Sequence, residues 1–180
     1  MTRARGVGGM TDTTDARSTA DLAKSIIGSC PDVRYRTEDG VLAFDVPPQR
    51  IRDVVALIER LVPDVFPENL FGVDLQDDKY EVIYYFWSRV MRLLIQLRVQ
   101  LQGASPSVAS VCDIFPALEW YERETHEMFG IDFAGHPDLR LLLLPDELEG
   151  KYPLRKSFKT DRSRLNESGL AAGPSSSGEG

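Results

Sequence analysis

Two neighbouring stretches limit this chain most, 80–87 and 92–101. In the first, both parities are apolar: Val82, Tyr84 and Phe86 against Ile83, Tyr85 and Trp87. A strand that is apolar on both sides has to be covered on both faces, which is the place of a central strand. The second stretch alternates, with Leu93, Ile95, Leu97, Val99 and Leu101 on one parity and Gln96, Arg98 and Gln100 on the other. That is a strand with one face in a core and one wet. The short connection between them predicts an antiparallel pair, so the chain needs a sheet.

The remaining sequence supplies more strands and the helices to cover them. Stretches 33–36 and 41–46 flank Glu38-Asp39-Gly40, a hairpin signal of the Asp-Gly kind. Pro47-Pro48 then opens a helix in which Ile51, Val54, Val55, Ile58, Leu61 and Val62 recur at helical spacing, and Pro63 closes it. Residues 70–75 read as a strand ended by Gln76-Asp77-Asp78. A short helix is expected around 19–27, where Leu22 and Ile26 lie four apart. Residues 103–107 read as a loop, with Ser107 or Ser110 capping a short helix that ends near Phe115-Pro116. The predicted fold class is therefore α+β, with a mixed, largely antiparallel sheet and helices packed on it, over 19–135. An extended, Pro-punctuated C-terminal arm is predicted over 136–159. Residues 1–18 and 160–180 are rich in Gly, Ser, Thr and charge and are expected to be disordered; Met1 and Met10 both qualify as a start.

At 180 residues the chain suits one domain with a real core. A net charge of −7 argues against a nucleic-acid binder, which needs a basic stripe. No apolar run approaches the ~20 residues of a membrane span, so membrane association is expected only through partners. Arg3 and Arg5 are not followed by the apolar stretch of a secretory signal. Cys30 and Cys112 are the only cysteines. They predict neither a disulfide framework nor an iron–sulfur cluster, which takes four thiolates.

The densest run of charge begins at Trp120. Stepping 100° per residue from Leu118, Tyr121, Thr125 and Phe129 fall on one side of a helix, with Met128 at its edge. Glu119, Arg123 and Glu127 fall opposite, and are expected to form an exposed ladder of i,i+4 ion pairs. Glu122 lands within the apolar stripe and needs a cation or backbone donors beside it. Gly130 supplies the left-handed residue that ends a helix. His126-Glu127 fails as a zinc-protease motif, because Gly130 stands where the second histidine belongs. His126 and His136 with Glu122 or Glu127 can in principle ligate zinc, but they straddle the helix exit, and structural or surface histidines are the simpler reading. Glu122, Arg123 and Glu124 can be read as an acid/base site or as an ion-pair network fixing the helix; the second is favoured.

Glu122-Arg123-Glu124, then Glu127-Met128-Phe129, then His136 and Arg140 with Leu142 and Leu143, resembles the signature of the thirty-kilodalton subunit of respiratory complex I (NADH-quinone oxidoreductase). Closely related subunits occur in F420H2 dehydrogenases and membrane-bound, energy-converting hydrogenases. Glu149-Gly150-Lys151-Tyr152-Pro153-Leu154-Arg155-Lys156 looks like the family's Gly-x-Pro-Leu-Arg-Lys segment. Ser157 departs from the acidic residue expected there, and Lys151-Tyr152 from a Gly-His-Pro approach. The specific match covers roughly 113–158, with looser similarity back to about residue 41.

The resemblance implies a non-catalytic scaffold subunit on the cytoplasmic side of a membrane, in the peripheral arm of an oxidoreductase that passes electrons to quinone and moves ions. It implies no cofactor on this chain, with iron–sulfur clusters and quinone in partner subunits. The expected partners are a large hydrogenase-like, quinone-site subunit and a small iron–sulfur subunit. Glu122, Arg123, Glu124, Glu127, Gly130, His136 and Arg140 are the signature residues. Leu142, Leu143, Tyr152, Pro153, Leu154, Arg155 and Lys156 are expected to dock on a partner, as apolar anchors with a cationic rim completed by Lys159. The competing readings are the equivalent hydrogenase subunit, a free-standing protein-binding module, an arm that only wraps its own domain and, more distantly, a metal hydrolase.

Overall fold

The computed structural model describes residues 13–38 and 40–159. In chain order these form helix α1 (Thr13–Ser29), strands β1 (Arg34–Glu38) and β2 (Val41–Asp45), and helix α2 (Ile51–Leu61). Strands β3 (Val65–Gln76), β4 (Lys79–Ser88), β5 (Leu93–Gln102) and β6 (Ser107–Ala109) follow, then helix α3 (Glu119–Phe129) and strand β7 (Asp132–Ala134). Turns of 3-10 helix at Pro48–Arg50 and Pro116–Leu118 lead into α2 and α3, and a third, Asp146–Leu148, interrupts the final stretch.

Five strands form one sheet in the order β1-β2-β5-β4-β3. Only β2 and β5 run parallel; the other neighbours are antiparallel. The fold is thus α+β with a mixed, largely antiparallel sheet. The pair expected from the two organising stretches is β4 with β5, in unbroken register from Lys79↔Gln102 to Ser88↔Leu93. β4 has a strand neighbour on each side, as expected of a central strand, and of its second apolar parity Ile83 is buried while Tyr85 and Trp87 are half-buried. β1 and β2, the two stretches flanking the hairpin signal, pair antiparallel from Arg34↔Asp45 to Glu38↔Val41.

Tyr80, Val82, Tyr84 and Phe86 of β4 meet the alternate leucines, Ile95 and Val99 of β5 in the core, with Leu42 and Phe44 of β2 beside them. Ile51, Val54, Val55 and Ile58 of α2 and Leu22 and Ile26 of α1 close over them. Each large side chain buried here contributes about 1.5–3 kcal/mol. Val62 N–H donating to Ile58 O ends α2 just before Pro63.

Three elements differ from expectation. β3 begins at Val65, not near residue 70, and its register shifts between Pro67 and Asn69. Pro67 is tolerated because β3 is an edge strand. Ser107 caps no helix: residues 107–109 are β6, which pairs in parallel with β7. The helix expected over 19–27 is α1, which starts at Thr13. Residues 1–12 and 160–180 of the termini expected to be disordered lie outside the described residues.

The stretch 136–159, expected to leave the domain, returns to it. Its amides and side chains meet α3, Phe129 and β3. β3 is ready for this packing because Gly72 lets the Phe129 ring close on the strand; a methyl at Gly72 would sit 2.7 Å from that ring.

Candidate functional site

The signature residues gather on and beside α3. Pro116 opens the preceding turn, Glu119 and Glu122 lie in the first turn of α3 where the helix dipole favours carboxylates, and Gly130, at φ 68, ends it. A side chain at Gly130 would also collide with Tyr152 and Arg155, whose atoms lie 2.6 Å from where its Cβ would be. This glycine is therefore needed for conformation and for room.

Glu122 is fully buried. Its carboxylate accepts from Ser110 Oγ at 2.5 Å and from the Val111 amide at 2.9 Å. These are the donors that its place in the apolar stripe demanded, and they fasten α3 to the segment after β6. Burial pushes its carboxyl above the usual range, against the pull of those two hydrogen bonds. Tyr84, buried beneath, is held well above the ordinary phenol range by burial and then by the Glu122 charge.

The exposed ladder Glu119–Arg123–Glu127 is not formed. Arg123 instead donates to two backbone carbonyls, Arg140 O at 2.9–3.0 Å and Leu141 O at 2.8 Å. Glu127 is 3 % exposed. It accepts the consecutive amides of Leu142 at 2.8 Å, Leu143 at 3.0 Å and Leu144 at 3.4 Å. One turn apart, a cation takes the carbonyls and a carboxylate takes the N–H groups of residues 140–144. This segment has no strand or helix to satisfy its backbone, and α3 does so instead. Glu124 is exposed, and its side chain makes no hydrogen bond or ion pair among the described residues.

A second tie caps the end of α3. Leu154 N donates to Met128 O and Arg155 Nε to Phe129 O, two carbonyls a helix terminus leaves open. The Arg155 guanidinium lies over the rings of Tyr152 and Tyr80, at 4.5 and 5.0 Å. Lys156 N donates to Asp74 at the end of β3. Burial pushes the Asp74 carboxyl up, but the Lys156 and Gln76 amides outweigh it and hold it below its ordinary value. Arg155 is therefore held within the chain and is no rim cation. Tyr152 and Pro153 are half-buried, Leu142 likewise, while Leu143 and Leu154 stay exposed and Lys156 keeps its ammonium outside. Arg140 is an exposed partner of Asp138, at 2.7 Å.

The histidines divide as structural groups. His126 Nδ1 lies 2.9 Å from Ile131 O. His136 Nδ1 accepts the Asp138 amide, so its Nε2 carries the proton and donates to Glu119 O at 3.0 Å. His136 does approach Glu122 and Cys112, with ligand atoms within 4.8 Å of one another. Both His136 nitrogens and both Glu122 oxygens are already engaged, and a metal would have to break those bonds. His126 is not part of that cluster. Sequence reasoning missed Ser110 as the partner of Glu122; the buried carboxylate signalled that a donor was needed, not which one.

Known proteins resemble this chain in sequence and in fold. Residues 44–164 match the family described as respiratory-chain NADH dehydrogenase, 30 Kd subunit. A NADH-quinone oxidoreductase subunit of Roseiflexus castenholzii is 40% identical over 146 residues, covering 78% of this chain and 79% of that protein. A F(420)H(2) dehydrogenase subunit of Methanosarcina mazei is 40% identical over 92 residues, 51% of this chain and 58% of its own. Among solved structures, a chain of the membrane-bound sulfane sulfur reductase, an archaeal respiratory membrane complex, shares the fold with a TM-score of 0.71 at 22% identity, over 85% of this chain and 92% of that one. No helix among the described residues is long and apolar enough to cross a membrane.

Proposed function

Because the chain belongs to the respiratory-chain NADH dehydrogenase 30 Kd subunit family, we propose that it is a non-catalytic scaffold subunit in the peripheral arm of a complex-I-like oxidoreductase. The assembly passes electrons from NADH or another donor to a quinone and couples this to ion translocation. Clusters and quinone sit in its partners, a small iron–sulfur subunit and a large hydrogenase-like subunit, and these hold the chain on the cytoplasmic side of the membrane. The observation that carries the reading is the use of the charges of α3. Glu122 and Glu127 are buried with their oxygens on protein donors, and Arg123 holds backbone carbonyls. A catalytic acid or base needs an open side toward a substrate; these groups brace a segment instead. Within that reading, the F(420)H(2) dehydrogenase relative favours a donor other than NADH as the alternative.

The test is to tag the chain in its host, solubilise membranes gently and identify by mass spectrometry what migrates with it on a native gel. A large assembly containing a cluster-bearing and a hydrogenase-like subunit is expected, and the co-migrating input module names the donor. Migration as a free protein near 20.2 kDa, absent from membranes, would contradict the proposal.

A further inference from the structure

The grip of α3 engages one side of the returning segment and leaves the other outside. Trp120 is 66% exposed and Leu143 61%. They stand at either end of the grip: Trp120 one turn before Arg123, Leu143 at the level of Glu127, about 10 Å apart along the axis at 1.5 Å per residue. A cleft of about 440 Å³ lined by Arg123, Arg140, Leu141, Asp146 and Glu149 opens beside the grip; its wall includes Arg123, one turn after Trp120, and Leu141, two residues before Leu143.

The charges in this cleft are unequally satisfied. Arg140 is paired with Asp138, and Arg123 has its N–H groups on the Arg140 and Leu141 carbonyls. Asp146 and Glu149 make no side-chain bond or ion pair among the described residues, and Glu124 and Glu147 are exposed nearby in sequence. Apart from the Arg140–Asp138 pair, these four carboxylates are set against Arg123 and, two residues past Glu149, the exposed Lys151, so the face stays acidic. The lysine expected on the docking rim lies elsewhere: Lys156 sits beside Asp74 at the end of β3.

We infer that this face, from Trp120 to Leu143 across the Asp146–Glu149 cleft, docks a protein segment presenting an apolar side chain beside a lysine or arginine. Its acidic sign selects a cationic partner surface, and its two exposed apolar side chains supply the anchors around which such contacts exclude water. The inference rests on the scaffold reading and adds which face docks and the charge it meets.

The test compares full-length tagged variants in the host by the partner protein recovered per tagged chain from mildly solubilised membranes. Asp146→Lys with Glu149→Lys, and separately Leu143→Ser, should each cut recovery at least about tenfold. Lys156→Glu with Lys159→Glu should leave it unchanged. Melting temperatures of the purified chains accompany each measurement; if the double reversal lowers its own, Leu143→Ser in a folded chain decides. Loss of partners in the lysine pair but not in the acidic pair, or equally in both, would overturn the inference and leave the scaffold reading standing. A wild-type chain that recovers no partner would remove both.

Discussion

The sheet core and the α3 junction are built from different forces. In the core, side chains alternate with a period of two, and almost every contact is apolar: Leu97, Val82, Tyr84 and Phe86 are fully buried. At the junction, buried carboxylates and a guanidinium hold irregular backbone, through Glu122, Arg123, Glu127 and Arg155. Apolar burial is non-directional and tolerates many solutions. A carboxylate between three amides works in one geometry. The core makes the domain stable, and the junction makes one surface of it specific.

The largest expected effect lies in the core. Phe86→Ala removes a fully buried ring that packs on Phe115 at 5.2 Å, and should cost about 3–5 kcal/mol in denaturant unfolding of the whole domain. Next comes Gly130→Ala, which forces a side chain into a left-handed conformation and against Tyr152. It should cost about 1–3 kcal/mol, with enhanced proteolysis confined to residues 140–158. An equal loss in both regions would erase the distinction between them. Glu127→Gln keeps the size but turns an amide NH2 toward backbone N–H groups; about 1–3 kcal/mol is expected, read as destabilisation of the junction.

The smallest effect is a slope with pH. The carboxyl of Glu122 is raised in the fold, so below its unfolded value near 4.5 both states hold the proton and it costs nothing. As pH rises above that, the unfolded state releases its proton first, and this group's contribution falls until the folded value is passed. Glu122→Gln should therefore flatten the decline of stability above pH 4.5, seen in urea midpoints measured across pH. A steeper decline in the variant would show that the carboxylate is stabilising and that burial is not the governing cause.

The core was legible because its signal is local. The parity of 80–87 and 92–101 named β4 and β5, and the spacing of Ile51 to Ile58 named α2. The end of α3 was legible from Gly130, and the buried position of Glu122 from the helical stripe. Glu127 was assigned to the wet side because a helical wheel registers one buried face, whereas α3 is covered a second time by a segment 15–17 residues further on. That segment has no period, so nothing local announces its return. β6 escaped for a similar reason: three residues, paired in parallel with a strand across α3, leave too little pattern to read.

Centrally, α3 holds residues 140–144 through Arg123 and Glu127. Amide hydrogen exchange of the wild type and of Glu127→Gln tests this most directly. The Leu142, Leu143 and Leu144 amides should be protected in the wild type and exchange at the rate of an open loop in the variant, while β4 and β5 stay protected in both. Unchanged protection at 142–144, or a loss spread evenly over β4 and β5, would contradict it.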